Sequence, residues 1–217
     1  MSANYKSVFD IIGPVMIGPS SSHTAGAVAI GQAARQVFHE PVLGIEVHYY
    51  ESFAQTHLGH GTDYAIISGV LGFDPADARV PEAVTIARQQ GIQVHFIEET
   101  GVSPVGHPNT AIVQLKNAKR QIRLTGCSIG GGTIEVRQVQ FDGFNIKPPG
   151  SLPLVLARMT PSLATQFVQR LGQFTGINHR HQYTAGTQTL FEYSLNQRLR
   201  VTEQRQLQQL VPDLIYL

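Results

Sequence analysis

The 217 residues allow one large domain or two small ones, and an apolar share of 42% is enough to bury a core. With 16 basic and 15 acidic residues the formal net charge is +1, and no basic block exceeds Lys119-Arg120 or His179-Arg180-His181, which argues against a nucleic-acid-binding face. Charged residues are only 14%, against about 25% in an average globular protein, so Gln, Ser, Thr, Asn and His must carry the surface, as expected where part of it is buried against a partner.

In chain order, the N-terminal apolar stretch is broken by Asp10, Gly13 and Pro14, so neither a signal peptide nor a membrane span is expected. Residues 24–38 repeat Ala27, Ile30, Ala34, Val37 and Phe38 at helical intervals, against the helix-weakening Gly26 and Gly31. Ser20, Ser21 and Ser22 precede this helix and supply capping hydroxyls. Residues 43–50 alternate as a strand, 62–71 read as a second helix, and 81–90 as a third, opened by Pro81 and closed by Gly91. Strands follow at 93–99, 110–117, 120–129 and 133–141.

Lys147-Pro148-Pro149-Gly150-Ser151 marks the expected boundary, dividing the chain into domains 1–147 and 151–217. Beyond it lie a strand at 152–159, a helix from Thr160 (N-cap) and Pro161 (first turn), strands at 177–185 and 187–195, a helix near 203–212 and a short last strand. The expected fold class is therefore α+β: a mixed or antiparallel sheet with helices, then a ferredoxin-like βαββαβ module. Cys127 is the lone cysteine, so no internal disulfide framework forms and a reducing cytoplasm is expected.

Four short segments carry candidate chemistry. Gly18-Pro19-Ser20-Ser21-Ser22-His23-Thr24 runs into a helix whose free N–H groups and partial positive charge suit a small anion such as an amino-acid carboxylate. A plain serine-rich cap is the alternative. Leu58-Gly59-His60-Gly61-Thr62-Asp63 places a histidine between glycines just before a helix. His60 suits a general base, since an ordinary imidazole titrates at about 6.5. Asp63 would orient an imidazole or cap the helix, and a glycine turn with an exposed histidine is the alternative. Cys127-Ser128-Ile129-Gly130-Gly131-Gly132-Thr133 matches neither a phosphate-binding loop nor a dinucleotide fingerprint, and Cys127 reads as a buried small residue. Gly106-His107-Pro108-Asn109-Thr110 reads as a turn. His179 and His181 share one face of a strand but lack a third ligand, so a polar sheet face is preferred to a metal site.

Together these segments resemble the beta chain of iron–sulfur L-serine dehydratases (L-serine deaminases) over about residues 1–145. The resemblance rests on Phe9-Asp10 shortly before Gly-Pro-Ser-Ser-Ser-His-Thr, on Gly59-His60-Gly61-Thr62-Asp63 before a helix ending in Gly72, and on His107-Pro108-Asn109-Thr110 and Ser128-Ile129-Gly130-Gly131-Gly132 in the same order. It implies a lyase, an L-serine ammonia-lyase converting L-serine to pyruvate and ammonia, cytoplasmic and serving amino-acid degradation and gluconeogenesis. His60 would take the α-proton, positioned by Asp63 or Thr62. Ser20, Ser21, Ser22, His23 and Thr24 would hold the substrate. A [4Fe–4S] cluster would act as Lewis acid on the serine hydroxyl. A cubane cluster needs three or four thiolates and this chain has one cysteine, so the cluster would be ligated by cysteines of a partner alpha subunit, without which the beta chain is inactive. The implied assembly is an α–β heterodimer, with a homodimer in isolation. The C-terminal module resembles an ACT-type regulatory domain, except that Arg158-Met159-Thr160-Pro161-Ser162 lacks the glycine turn at which such domains bind an amino acid. Two other readings stay open: a stand-alone amino-acid-binding regulatory protein, and a scaffold that only stabilises an alpha chain.

Overall fold

A computed structural model describes residues 16–18, 20–149 and 152–217. Contacts divide the chain into two compact units, Met1–Gln138 and Val139–Leu217. Among the described residues no helix is long and apolar enough to cross a membrane.

In the first unit a π-helical turn, Ser21–Ala25, leads into helix α1, Gly26–Phe38. Strand β1 (Gly44–Tyr49) follows, then two consecutive helices, α2 (Glu51–His60) and α3 (Thr62–Leu71). A short 3-10 turn (Val80–Glu82) opens helix α4, Ala83–Gln89. Strands β2 (Gln93–Glu98), β3 (Thr110–Lys116), β4 (Gln121–Gly130) and β5 (Thr133–Phe141) follow in a sheet ordered β2-β1-β3-β4-β5, and the end of β5 beyond Gln138, which belongs to the second unit, pairs with a short β6 (Phe144–Ile146). The β1–β2 pair is parallel, joined through α2, α3 and α4, as a parallel pair requires. The β1–β3, β3–β4 and β5–β6 pairs are antiparallel. The expected mixed sheet with helices is therefore present.

Helix α2 went unrecognised in the sequence. Glu51–His60 buries only Phe53 and His57, so it carries no apolar stripe for periodicity to reveal. Tertiary bonds hold it instead, among them Phe53 N–H donating to the Pro108 carbonyl at 3.3 Å. The segment Leu58–Asp63 thus spans the end of one helix and the start of the next, where the sequence suggested only a turn before a helix.

The glycines that weaken α1 on propensity are what let it pack. A Cβ on Gly31 would lie 2.1 Å from the Ile66 carbonyl oxygen of α3, and one on Gly69 would lie 2.1 Å from the Val28 carbonyl oxygen of α1. The two backbones touch reciprocally. Further along, Gly26 abuts Ser128 and Gly126 abuts Ile30, bringing α1 down onto β4. Ala27, Val28, Ile30, Ala33, Ala34, Val37 and Phe38 are buried in that position.

The second unit contains β7 (Leu154–Arg158), α5 (Pro161–Leu171), β8 (Ile177–Ala185), β9 (Gln188–Leu195), α6 (Val201–Leu210) and β10 (Ile215–Tyr216). Its sheet runs β10-β7-β9-β8 with every neighbouring pair antiparallel, which is the ferredoxin-like arrangement. Thr160 caps α5 by accepting from Leu163 N–H at 3.4 Å, with Pro161 in the first turn, as read from the sequence. Phe167, Leu171, Tyr193, Leu195 and Leu207 fill the core between sheet and helices. His179 and His181 lie exposed with their rings 6.3 Å apart.

Gly69→Ala should lower stability by about 1–3 kcal/mol, the usual range for overpacking. Thermal denaturation would check this, with Gly91→Ala as a contrast, because a Cβ there meets nothing within 4 Å and only its left-handed φ of +79° resists the change.

Candidate functional site

The Ser21–Ala25 turn touches α2, α3 and β4, so three sequence segments meet at the start of α1. The capping is local. Thr24 N–H donates to the Ser20 carbonyl at 2.7 Å, and His23 N–H donates to Ser20 Oγ at 3.3 Å. Ser20 Oγ also lies 3.2 Å from His23 Nδ1. Ser20 therefore both caps the turn and orients the His23 ring. The side chains of Ser21 and Ser22 lie outside the described residues, as do Phe9, Asp10 and Pro19. Thr24 is completely buried and its hydroxyl donates to the His60 carbonyl at 3.4 Å, tying the first segment to the second.

His60 is the last residue of α2. Its ring meets His23 edge-on, with centroids 4.7 Å apart at 84°. The Phe53 ring also lies against His23, with centroids 5.3 Å apart. Burial, and secondarily the neighbouring His60, hold the His23 pKa below its ordinary value, so its ring is neutral at neutral pH. Three buried polar atoms around this turn have no hydrogen-bond partner among the described residues: His60 Nδ1, Thr62 Oγ1 and Ser128 Oγ. Leaving such a group unpaired costs stability, so each is a site at which a ligand, water or partner group can bond.

The His107–Thr110 loop is built into the same region. Asn109 exchanges bonds with Ser128, its carbonyl accepting from Ser128 N–H at 3.0 Å and its Nδ2 donating to the Ser128 carbonyl at 3.5 Å. Thr110 Oγ1 donates to the His107 carbonyl at 2.6 Å and lies 3.3 Å from Cys127 Sγ. Cys127 is buried, and burial pushes its thiol pKa up. It behaves as a small apolar residue, in line with the sequence.

The resemblance implies Asp63 or Thr62 as the group that positions His60. Asp63 does orient an imidazole, but that of His57, whose Nδ1 lies 2.6 Å from the Asp63 Oδ1. The other nitrogen of His57 lies 2.8 Å from Glu98 Oε1, at the end of β2. The ring is 4% exposed and stacks on Tyr49 at 4.7 Å. Burial alone would lower the His57 pKa, but its hydrogen bonds to Glu98 and Asp63 and their charges outweigh that, and the pKa is raised. Burial, and then the Asp63 carboxylate, hold the Tyr49 phenol well above its ordinary value. His57 was missed because a lone histidine in a helix without an apolar stripe gives no signal. Its spacing of six residues from Asp63 becomes meaningful only once α2 and α3 turn sharply at Gly61.

A single cysteine engaged with Thr110 does not fit an iron–sulfur cluster. Among the described residues no group of three or more His, Cys, Asp or Glu is arranged to hold a metal.

Residues 7–139 match the family model described as serine dehydratase beta chain. The chain is 52% identical over 152 residues to the probable L-serine dehydratase beta chain of Bacillus subtilis, covering 70% of this chain and 67% of that protein. It is 36% identical over 152 residues to the L-serine dehydratase beta chain of Peptoniphilus asaccharolyticus, covering 69% of this chain and 67% of that one. It also aligns with L-serine dehydratase 1 of Escherichia coli, 29% identical over 128 residues that cover 57% of this chain but only 28% of that longer protein.

Since the His57 pKa is raised, its contribution to stability is fully present below its unfolded value of about 6.5 and is lost as pH rises through the folded value. Thermal midpoints of the parent and His57→Phe should therefore differ most at acid pH and converge on the alkaline side.

Proposed function

The chain belongs to the serine dehydratase beta chain family, and on that footing we propose that it is the beta subunit of an L-serine ammonia-lyase, converting L-serine to pyruvate and ammonia. The supporting observation is the paired His23 and His60 at the start of α1, with His60 Nδ1 buried and unpartnered among the described residues.

In this reading the substrate carboxylate rests at the Ser20–Thr24 turn, where the partial positive charge of the helix start favours an anion. Ser20 and His23 are part of that cradle, and Ser21 and Ser22 join it by position. Thr24 contributes by holding the His60 carbonyl. His60 takes the α-proton, which it can do only as the neutral imidazole. His23, held neutral by burial, adds no competing positive charge beside it. Loss of the β-hydroxyl as water leaves an enamine; its imine tautomer takes up water and releases ammonia, so serine gives pyruvate plus ammonia with atoms balanced. Asp63 supports the corner on which His60 sits rather than bonding its ring.

The [4Fe–4S] cluster is assigned to cysteines of a partner alpha subunit, because the donor set of this chain does not fit one. Escherichia coli L-serine dehydratase 1, a longer protein of which the aligned part is 28%, is consistent with a beta-type region working beside further polypeptide. The ferredoxin-like unit is read as an ACT-type module, and the assembly as a cytoplasmic heterodimer.

Anaerobic co-expression with an alpha chain, followed by measurement of serine-dependent pyruvate, tests this reading. The complex should be active, and His60→Ala should lose about 10²–10⁴-fold in kcat, the usual contribution of a positioned general base. An active complex indifferent to His60→Ala would remove His60 from the chemistry. An inactive complex whose beta chain binds serine alone would favour the regulatory protein.

A further inference from the structure

The proposed reaction needs His60 held at the corner between α2 and α3, and the bonds that hold this corner belong to His57. One turn earlier in α2, the His57 carbonyl accepts the N–H of Gly61, the residue just past His60. Gly61 makes the turn with φ +70°, a conformation suited to glycine. The His57 ring then reaches over the corner to Asp63 in the first turn of α3, at 2.6 Å. It reaches Glu98 of β2 at 2.8 Å and lies flat on Tyr49 of β1. One side chain thus joins the end of α2 to the start of α3 and to two strands.

Both ring nitrogens face carboxylate oxygens. Ionised carboxylates only accept, and a neutral imidazole has a single N–H, so both bonds form together only on the imidazolium. Among the described residues the titratable groups facing the ring are Asp63 from α3, Glu98 from β2 and Tyr49 from β1. The C-terminal end of α2, where His57 sits, also favours a positive charge.

We propose that His57 is the positioning residue for His60: a charged clamp on Asp63 and Glu98 that holds the α2–α3 corner so that His60 meets His23. This rests on the lyase reading of His60. The two histidines then work in opposite states, His57 charged and His60 neutral. When His57 loses its proton, one bond is replaced by a lone pair facing a carboxylate, and the corner loosens. Turnover should therefore carry an alkaline limb that belongs to His57.

Two variants in the α–β complex test this, with one measurement on the full chain alone. Glu98 has a side chain 61% exposed, so Glu98→Gln leaves the fold intact while replacing a charged acceptor by a neutral one. It should move the alkaline limb of kcat to lower pH with KM unchanged. His57→Phe keeps a ring on Tyr49 but removes both donors. It should lower kcat about tenfold or more, with KM within about twofold, and abolish the limb, since small misplacement of a reacting group is costly. His57→Gln, which restores one donor, should recover part of that loss. If His57→Phe fails to fold, the Glu98→Gln limb decides alone. On the full chain without partner, the NMR proximity signal between the His23 and His60 rings should weaken as His57 titrates in the parent. An unmoved limb in Glu98→Gln, or a proximity signal indifferent to His57 titration, overturns the clamp. A parent complex that forms no pyruvate from serine defeats the lyase reading instead, and the proximity signal still judges the clamp.

Discussion

The backbone contact between α1 and α3 is the constraint on which the first unit depends. Gly31 and Gly69 each lie where a Cβ would strike the opposite helix's carbonyl oxygen, so the axes approach more closely than side chains would permit. That approach sets the Ser21–Ala25 turn beside the Gly61 corner, and Thr24 closes the remaining gap with its bond to the His60 carbonyl. Glycine costs about 1 kcal/mol relative to alanine within a helix. Here packing outweighs it, since α1 buries a continuous run of small and branched apolar residues against α3 and β4.

From this contact the site follows as a set of helix ends. The turn that opens α1 carries His23, the α2 end carries His60, and the α3 start carries Asp63. Opposite charges suit opposite ends: an anion at a helix start, a protonated histidine at a helix end. The His57–Asp63 bond joins two such favourable placements across one corner. β2 closes the arrangement from below, because its parallel register with β1 carries Glu98 alongside Tyr49, on which His57 stacks.

Burial divides the labour between histidines of similar chemistry. Burial, and then the neighbouring His60, lower the His23 pKa and favour its neutral ring. His57 is more enclosed still, yet two carboxylates reverse the effect. Desolvation thus lowers the pKa of the His23 ring that touches His60, while at His57, one turn before His60, hydrogen-bonded carboxylates outweigh it.

Local residue chemistry determined much of this protein on its own. The Ser20–Thr24 segment opening a helix, the Thr160–Pro161 cap, the alternation of β5 and the βαββαβ order of the second unit are legible because each depends on neighbours in sequence. One cysteine among 217 residues likewise argued that a cluster would need another chain. Helix α2, the value of Gly31 and Gly69, and the partner of Asp63 were decided only in three dimensions. α2 has no apolar stripe and is held by long-range bonds, the glycines matter because another backbone arrives against them, and Asp63 meets His57 because Gly61 turns the chain. Periodicity reports which face of an element is apolar; it cannot report which polar groups a corner will bring within hydrogen-bonding distance.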